Sequence, residues 1–243
     1  MSREVPCAEG PAALIFDVFG TLTDWRTSIA REVAAAFAAK GRQVDGCAIA
    51  DAWRAEYQPA MARVRHGARG YVPLDILHRE NLERVLAAEG AAGALAPAEV
   101  AALARAWERL DSWPDVGGGL ARLRRRFLLA PCSNGSIAMM ARLARHAGWH
   151  WDAVLGAEIA RDYKPKPAVY RAAATALGLQ PGAVMMVAAH NDDLRAARDA
   201  GLATAFFARP REHGPGQSRD LAPEGPWDAA AQDIDDLARG LGC

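Results

Sequence analysis

Four polar segments of the chain each follow an apolar run that could end as a buried strand. They are "DVFGT" at Asp17, "SNG" at Ser133, "YKPKPAVY" around Lys164 and "HNDD" at His190. Taken singly, each also suits an ordinary turn, helix cap or exposed loop. In an open parallel sheet, however, ligands bind outside the carboxyl ends of the strands. One polar group at each strand end therefore predicts a shared site.

Asp17 and Lys164 are the residues whose chemistry this site would use first. A carboxylate can act as a nucleophile that forms a covalent intermediate, and a nearby cation keeps such a carboxylate ionised. A proline follows Lys164, so its backbone is held extended just before a helix. Ser133 can donate to an anion, as can backbone N–H groups at the start of the next helix. The sequence thus predicts a nucleophilic carboxylate beside an anion site.

The elements that must position these residues alternate between strand and helix after residue 115. The apolar runs "FLLAPCSN", "AVLGAE", "AVMMVAAH" and "ATAFFA" are typical of buried parallel strands, and helical segments lie between them. The run "AALIFDVFG" has the same character but stands far earlier, and the pattern from Ser28 to about Leu110 is helical. The predicted fold class is therefore α/β, a Rossmann-like parallel sheet with an all-helical segment inserted after its first strand.

Several local predictions accompany this architecture. Ser136 is expected to cap the helix after "CSNG", and Asn191 or Asp192 to cap the helix after "VAAH". The Pro- and Gly-rich segment at residues 209–228 is expected to be a surface loop. Four aromatic residues either line a cleft or pack in the core: Trp25, Trp53, Tyr57 and Trp113.

Composition and charge exclude several classes of partner. The 243 residues carry no formal net charge, so neither a nucleic-acid footprint nor a membrane-surface patch is expected. The N-terminus lacks the apolar core of a signal peptide, and no run approaches the roughly 18 apolar residues of a membrane span. The four cysteines show no C-x-x-C spacing, so we expect no metal cluster and a reduced, cytoplasmic protein.

Together the four segments resemble the haloacid dehalogenase superfamily over nearly the whole chain. The first motif of that family, D-x-[DFY]-G-T-[LV], is similar to "DVFGTL", and its second and third motifs correspond to Ser133 and Lys164. Its acidic fourth motif is similar to "NDDLRAARDAG". The resemblance implies an HAD-like α/β core domain at residues 1–23 and 116–243, and a helical cap domain at residues 24–115.

Two departures from the phosphatases of this superfamily point to another branch. Phosphatases carry a second Asp two residues after the nucleophile, which protonates the leaving alcohol, and this position is Phe19 here. They also bind Mg²⁺ through an early Asp of the fourth motif. When Asp193 is aligned with the later Asp of that motif, the early position is occupied by Ala189. Phosphoryl transfer depends on metal neutralisation of charged oxygens. The resemblance therefore disfavours a Mg²⁺-dependent phosphatase and implies neither a metal nor a cofactor.

The chain resembles the L-2-haloacid dehalogenase branch instead, whose cap motif is similar to "DAWRAEY". The site residues of that branch correspond to Arg54, Ser133, Asn134, Lys164, Tyr170 and Asp193. The resemblance implies an (S)-2-haloacid dehalogenase that hydrolyses short 2-haloalkanoic acids to 2-hydroxy acids. It further implies inversion at C2, release of a halide ion and a homodimer.

The resemblance also implies a role for each site residue. Asp17 would attack C2 of the substrate and form an ester, and water would then attack the carboxyl carbon of Asp17. Lys164 would keep Asp17 ionised and offset the repulsion between two carboxylates, and Asp193 would orient Lys164 and the water. The substrate carboxylate would be held by Ser133 and by backbone N–H groups near Thr21 and Leu22.

A halide leaving group would explain Phe19. An alkoxide needs a proton from a nearby acid, whereas chloride or bromide leaves as a stable anion. A carboxylate at position 19 would repel this ion, while an aromatic ring excludes water and presents polarised edge hydrogens. Arg54 and Asn134 would complete the halide cradle with charge-assisted hydrogen bonds.

The chain departs from the branch pattern at four positions. They are Phe19 for the usual Tyr, Lys166 for an expected Asp, Ala188 for the usual Ser, and His190 for the usual Asn. These changes suggest the hypothesis that His190 supplies the general base for ester hydrolysis. The alternative is a strand-end histidine with a purely structural role.

Two other functions stay open at this stage. Some related enzymes open strained rings such as azetidine-2-carboxylate, where the leaving nitrogen is already protonated and position 19 again needs no acid. Arg54 weighs against this activity, because a cation suits a departing anion. A non-catalytic binding protein is the second alternative, and the set of Asp17, Ser133, Lys164 and Asp193 argues against it. A tight aromatic pocket would favour small acids such as fluoroacetate.

Overall fold

The computed structural model describes residues 10–243 and contains seven strands and ten α-helices within them. The strands are β1 (Ala13–Phe16), β2 (Thr23–Asp24), β3 (Asp111–Ser112), β4 (Leu128–Pro131), β5 (Val184–Ala188), β6 (Ala203–Phe207) and β7 (Ala229–Ala231). The helices are α1 (Trp25–Ala38), α2 (Gly46–Ala55), α3 (Tyr57–Arg65), α4 (Leu74–Ala88), α5 (Pro97–Ala104), α6 (Val116–Leu123), α7 (Ile137–Ala147), α8 (Pro167–Ala176), α9 (Asn191–Asp199) and α10 (Ile234–Gly240).

A five-stranded parallel sheet of order β4-β1-β5-β6-β7 forms the centre of the fold. All residues of β1 are buried, because β4 and β5 flank it and helices cover both faces. Successive side chains point to opposite faces of a strand. Leu14 and Phe16 accordingly pack into one core cluster, and Ala13 and Ile15 into another. The predicted α/β fold is confirmed.

The helices α1 to α5 all lie between β2 and β3, which pair antiparallel with Thr23 opposite Ser112. This pair brings the chain out of the sheet layer and back to it at one place, so the inserted helical segment is confirmed. Strands of two residues are too short to leave a period-2 pattern, and the sequence did not predict them. The domain boundaries at residues 24 and 115 stay a prediction.

One prediction of secondary structure is wrong. The run "AVLGAE" at residues 153–158 does not form a strand, and a 3₁₀ turn occupies Ala157–Ile159. Asp152 binds the neighbouring strand instead, because its N donates to O of Leu129 at 2.9 Å and its Oδ2 accepts from N of Leu129 at 3.0 Å. Within the helical segment, Glu56 separates α2 from α3.

The two cap predictions differ in outcome. Ser136 caps α7, since its Oγ accepts from N of Met139 at 3.0 Å. Neither Asn191 nor Asp192 caps α9, so that prediction is wrong. The N–H of Asn191 donates to Oδ1 of Asp220 at 2.8 Å instead. Asp220, which lies far along the chain, therefore accepts the backbone N–H at the start of this helix.

The expected surface loop at residues 209–228 is only partly at the surface. Arg209 and Glu212 are buried, with exposed fractions of 8% and 1%. The prediction is therefore wrong for the first part of this segment. A Pro- and Gly-rich composition shows where the chain turns, but it does not show which charged side chains turn inward.

Two further features concern only residues 10–243. No helix among them is long and apolar enough to cross a membrane. The cysteines in this range, Cys47, Cys132 and Cys243, form no disulfide with one another, and Cys7 lies outside it. No three His, Cys, Asp or Glu side chains of this range are grouped as a metal site requires.

Candidate active site

The carboxyl ends of β1, β4 and β5 open into one cleft of about 1080 Å³. The residues that line it include Asp17, Phe19, Arg54, Asn134, Lys164 and His190. Side chains from the sheet ends and from the inserted helices therefore face each other across it. This is the position that an open parallel sheet gives to a ligand site.

Asp17 is held by three neighbours. Its Oδ1 accepts from Nζ of Lys164 at 2.8 Å, and its Oδ2 accepts from Oγ1 of Thr21 at 2.7 Å and lies 3.1 Å from Nδ1 of His190. Burial alone would raise the pKa of Asp17, but the charges of Lys164 and His190 more than offset it. The pKa therefore lies well below its ordinary value of 3.8. Asp17 is an ionised carboxylate in a fixed orientation.

The turn after β1 holds Thr21 in place. Its Oγ1 accepts from N of Ala189, at the end of β5, at 2.9 Å. Gly20, just before it, has a φ of +90°, a conformation that residues with a Cβ rarely adopt. A Cβ at Gly20 would also lie 2.1 Å from Oε1 of Glu212. The glycine of "DVFGTL" is therefore required by the turn and by the carboxylate packed against it.

Lys164 bridges two carboxylates inside the fold. Its Nζ lies 2.8 Å from Oδ1 of Asp17 and 2.5 Å from Oδ2 of Asp193. Burial would lower the pKa of Lys164, but the two carboxylates raise it by more, so the net pKa is raised and the ammonium stays charged. The hydroxyl of Tyr170 donates to Asp193, and N of Lys164 donates to Oδ1 of Asn134 at 2.8 Å. These bonds fix the ammonium beside Asp17.

His190 lies between Asp17 and a residue that the sequence did not identify, Glu212. Its Nε2 lies 2.8 Å from Oε2 of Glu212, whose Oε1 accepts from Nε1 of Trp25 at 3.0 Å. Burial would lower the pKa of His190, but Glu212 and Asp17 raise it well above 6.5. Burial would likewise raise the pKa of Glu212, but the charge of His190 lowers it to about 2. Both groups are therefore charged in the resting site.

Arg209 anchors the segment that carries Glu212. Its Nε donates to O of Thr21 at 2.9 Å, and its two terminal nitrogens each lie 2.9 Å from an oxygen of Asp115. The guanidinium also lies over the ring of Phe207, 4.6 Å from its centroid. Three residues later, N of Glu212 donates to O of Arg209 at 3.1 Å. No periodic pattern marks either residue, so no signal in the sequence could have placed them in the site.

The other side of the cleft presents Arg54. Its Cζ lies 4.1 Å from the ring centroid of Tyr57 and 5.3 Å from that of Trp25. Its Nη1 is buried and has no hydrogen-bond partner among the residues that the structure describes. Nδ2 of Asn134 donates to the hydroxyl of Tyr57 at 3.2 Å. A guanidinium with a buried, unused donor beside two aromatic faces is suited to an anion.

Phe19 forms an apolar wall of the cleft and is 2% exposed. Trp107 and His78 meet its ring edge-on, with centroids at 5.5 Å and 6.2 Å, and stack on each other at 4.3 Å. Burial and the nearby charge of Arg54 lower the pKa of His78 well below 6.5, so its ring is neutral. The wall at position 19 is therefore rigid and carries no proton donor.

Some expected contacts are absent or are made elsewhere. N of Leu22 donates to O of Val18 at 3.0 Å, so it is not free to hold a substrate carboxylate, which corrects that expectation. The hydroxyl of Thr21 is directed to Asp17. Ser133 is buried, and its Oγ accepts from N of Gly135 at 3.1 Å.

The four aromatic residues expected at a cleft divide into two pairs. Trp25 and Tyr57 line it. Nε1 of Trp53 donates to O of His78 at 2.9 Å, and Nε1 of Trp113 donates to O of Gly20 at 2.8 Å. The second pair thus braces the backbone, with its indole nitrogens bonded to carbonyl groups.

Comparison with known proteins agrees with this geometry. Residues 11–201 match the family model of the haloacid dehalogenase-like hydrolases. An (S)-2-haloacid dehalogenase of Xanthobacter autotrophicus is 31% identical over 203 residues, which cover 81% of this chain and 75% of that protein. A second (S)-2-haloacid dehalogenase, from Pseudomonas sp. (strain YL), is 30% identical over 81% of this chain and 82% of its own.

Two solved structures share the whole architecture. A defluorinating L-2-haloacid dehalogenase is 49% identical with a TM-score of 0.94, and the match covers 96% of both chains. Another L-2-haloacid dehalogenase is 46% identical with a TM-score of 0.92, and covers 96% of this chain and 99% of its own. The resemblance of the sequence motifs is confirmed, and the chain belongs to the haloacid dehalogenase-like hydrolases.

Proposed function

We propose that this hydrolase converts short (S)-2-haloalkanoic acids into 2-hydroxy acids through an ester on Asp17. One observation carries the proposal: an ionised Asp17, paired with Lys164, lines the same cleft as Arg54, whose buried Nη1 has no hydrogen-bond partner among residues 10–243, and position 19 is apolar. The pairing supplies a nucleophile and a halide site without an acid for the leaving group. The relatives named (S)-2-haloacid dehalogenase and L-2-haloacid dehalogenase support this assignment.

In the first half-reaction, Asp17 attacks C2 in line with the carbon–halogen bond, C2 inverts and the halide leaves with the bonding electrons. Arg54 and Asn134 donate hydrogen bonds to the halide as its charge develops, and Phe19 keeps water away from it. Each charge-assisted bond contributes about 1.5–3 kcal/mol. Lys164 offsets the repulsion between Asp17 and the carboxylate of the substrate.

In the second half-reaction, water attacks the carboxyl carbon of Asp17 and releases the 2-hydroxy acid. His190 is within reach of Asp17 and is the general base in this proposal, while Asp193 and Tyr170 keep Lys164 oriented. The hydroxyl of Ser133 and the N–H of Thr21 hold the substrate carboxylate. The amide of Leu22 is omitted from this set, because it is bonded to Val18.

Fluoroacetate is included in the proposed substrate range. A relative named as defluorinating shares 49% of its sequence with this chain, and the edge-on packing of Phe19 against Trp107 and His78 makes a rigid wall for a small ion. The proposal also includes a homodimer and a cap domain at residues 24–115, both of which the family resemblance supports.

A halide-release screen tests the function. Chloro-, bromo- and fluoroacetate and both enantiomers of 2-chloropropionate are compared, with and without EDTA, and azetidine-2-carboxylate serves as the ring-opening arm. We expect halide release from the (S)-enantiomer that EDTA does not affect, and incorporation of ¹⁸O from water into Asp17 in a single turnover. Ring opening without halide release, or activity that requires a metal, would refute the proposal.

A further inference from the structure

His190 lies between two carboxylates that come from distant parts of the chain. Its Nδ1 is 3.1 Å from Oδ2 of Asp17, and its Nε2 is 2.8 Å from Oε2 of Glu212. An ionised carboxylate only accepts hydrogen bonds, so each ring nitrogen must carry a hydrogen to bond its partner. The resting His190 is therefore an imidazolium, in agreement with its raised pKa.

This charge state conflicts with a base role in the resting enzyme, because an imidazolium has no lone pair to accept a proton from water. Ester formation removes the conflict. The negative charge of Asp17 disappears when its oxygen bonds to C2, and Nδ1 of His190 then faces a neutral ester. Lys164, 2.8 Å from the former carboxylate, stays beside it as a cation whose remaining carboxylate partner is Asp193. Each of these changes favours loss of a proton from His190.

Resting on the function proposed above, we propose that His190 releases its Nδ1 proton to solvent as the Asp17 ester forms. Glu212 then holds the neutral ring through Nε2 and leaves the lone pair of Nδ1 directed at the ester. His190 becomes competent as a base only after the nucleophile has reacted. Glu212 is a positioning residue, which fixes the tautomer of the ring.

The atoms and charges of this sequence balance. In the first step the bond between Asp17 and C2 forms, the carbon–halogen bond breaks, the halide takes the electron pair, and a proton leaves His190. In the second step water adds to the carboxyl carbon of Asp17, and the bond between this carbon and the oxygen attached to C2 breaks. This oxygen leaves as the hydroxyl of the product. One hydrogen of the water ends on the product hydroxyl and the other on His190, which regains its positive charge beside the Asp17 carboxylate.

The surroundings of His190 favour this sequence. Glu212 is fixed by the indole of Trp25 and fits against Gly20, so it stays in place when Asp17 changes charge. The ring of His213 also lies near Glu212, with its Nε2 3.5 Å from Oε1, but burial lowers the pKa of His213, so this ring is neutral at the pH of the reaction. The side chain of His190 is 21% exposed and lines the cleft, which gives its proton a path to solvent.

Stopped-flow proton counting tests the timing. Enzyme in excess over (S)-2-chloropropionate is mixed in weak buffer with a pH indicator at mildly alkaline pH, and halide is followed in parallel. Protons moved by binding alone are measured with the 2-hydroxy acid product and subtracted. We expect a proton in the same phase as the halide. A proton that appears only with the hydroxy acid would overturn the inference, whereas an absent halide phase would refute the proposed function instead.

Variants separate the two residues. His190→Asn should keep the halide phase, lose the early proton and accumulate the Asp17 ester in mass spectra. His150→Asn, an exposed histidine outside the cleft, is the matched control and should keep both phases.

Glu212→Gln should reduce the early proton and shift the pH dependence of ester hydrolysis to lower pH, because the ring loses its anion. An unchanged pH dependence in Glu212→Gln would overturn the role of Glu212.

Discussion

Gly20 and Glu212 occupy adjoining space, and a Cβ on Gly20 would lie 2.1 Å from Oε1 of Glu212. The turn after the nucleophile and the segment after β6 are therefore fitted to each other. Arg209 strengthens the same junction, because it donates to the carbonyl of Thr21. The motif that contains Asp17 is thus completed by residues near the other end of the chain.

Gly20→Ala should lower both stability and ester hydrolysis. A residue with a Cβ at a φ of +90° is strained, at a cost of about 1–2 kcal/mol, and the added methyl group displaces Glu212. Thermal unfolding and the amount of trapped Asp17 ester measure the two effects. Gly117→Ala, at a helical glycine with no atom within 4 Å of the added Cβ, is the control. It should be neutral or stabilising by about 0.5–1 kcal/mol, and equal behaviour of the two variants would contradict the packing argument.

Asp17→Asn should lose halide release by roughly 10³-fold or more, because the amide is a poor nucleophile and the ester cannot form. Intact-protein mass spectrometry rules out deamidation, which would restore the carboxylate. Circular dichroism checks the fold, since Lys164 keeps its second partner, Asp193. Halide release at the rate of the parent from a protein that is still an amide would end the covalent scheme.

Phe19→Asp should reduce halide release more than Phe19→Leu. The carboxylate would repel the departing anion and would be buried against Trp107 and His78, which offer it no cation. Phe19→Tyr, the usual aromatic residue of the branch, should stay close to the parent. The kcat for chloroacetate across the three variants is the measurement, and an Asp variant faster than the Leu variant would show that an acid assists the leaving group.

Arg54→Met should lower kcat for chlorinated substrates by roughly 10- to 100-fold, the equivalent of one charge-assisted hydrogen bond. Arg54→Lys should recover part of the loss, because it keeps the charge but not the forked donor. Arg63→Met on α3, an exposed arginine, is the matched control and should keep the parent kcat. A loss confined to KM would place Arg54 on the substrate carboxylate and not on the halide.

The ion pair of Glu212 and His190 predicts how stability depends on pH. The pKa of Glu212 falls from 4.5 to about 2 on folding, so its contribution is complete above pH 4.5 and is lost as the pH falls toward 2. The pKa of His190 rises above 6.5, so its contribution is complete below pH 6.5 and is lost as the pH rises through the raised value. The pair thus stabilises most between these limits.

Unfolding by urea at several pH values checks this expectation. Glu212→Gln should lose roughly 2–3 kcal/mol of unfolding free energy in that window and less on either side of it. A deficit that is constant across the pH range would show that Glu212 contributes through packing and not through its charge.

The sequence predicted the residues that local signals mark. Asp17, Asn134, Lys164 and His190 each follow an apolar run or precede a proline, and the sheet brings them to one edge. The parallel strands could be predicted because they are buried on both faces and therefore form continuous apolar runs in the sequence. The inserted helices could be predicted because their apolar residues recur with a period of 3.6 residues.

The sequence could not predict contacts made by irregular backbone. Glu212 and Asp220 lie in a segment without periodicity, where composition indicates turns but not which side chains are buried. Asn191 likewise resembles a helix cap, yet its side chain binds Asp220 and the carbonyl of Ala222. In both cases a tertiary contact with a distant segment replaced the local one that the residue type suggests.

The hydroxyl of Thr21 accepts the N–H of Ala189 and lies 2.7 Å from Oδ2 of Asp17, and because an ionised carboxylate only accepts, the hydroxyl hydrogen is directed to Asp17. A peptide plane at the end of β5 thus sets the direction of a bond dipole at the end of β1. That dipole needs no rotation when the carboxylate becomes an ester or when it is restored. The register of β1 against β5 therefore determines the orientation of the Asp17 carboxylate. A shift of this register by one residue would turn the carboxylate away from the substrate.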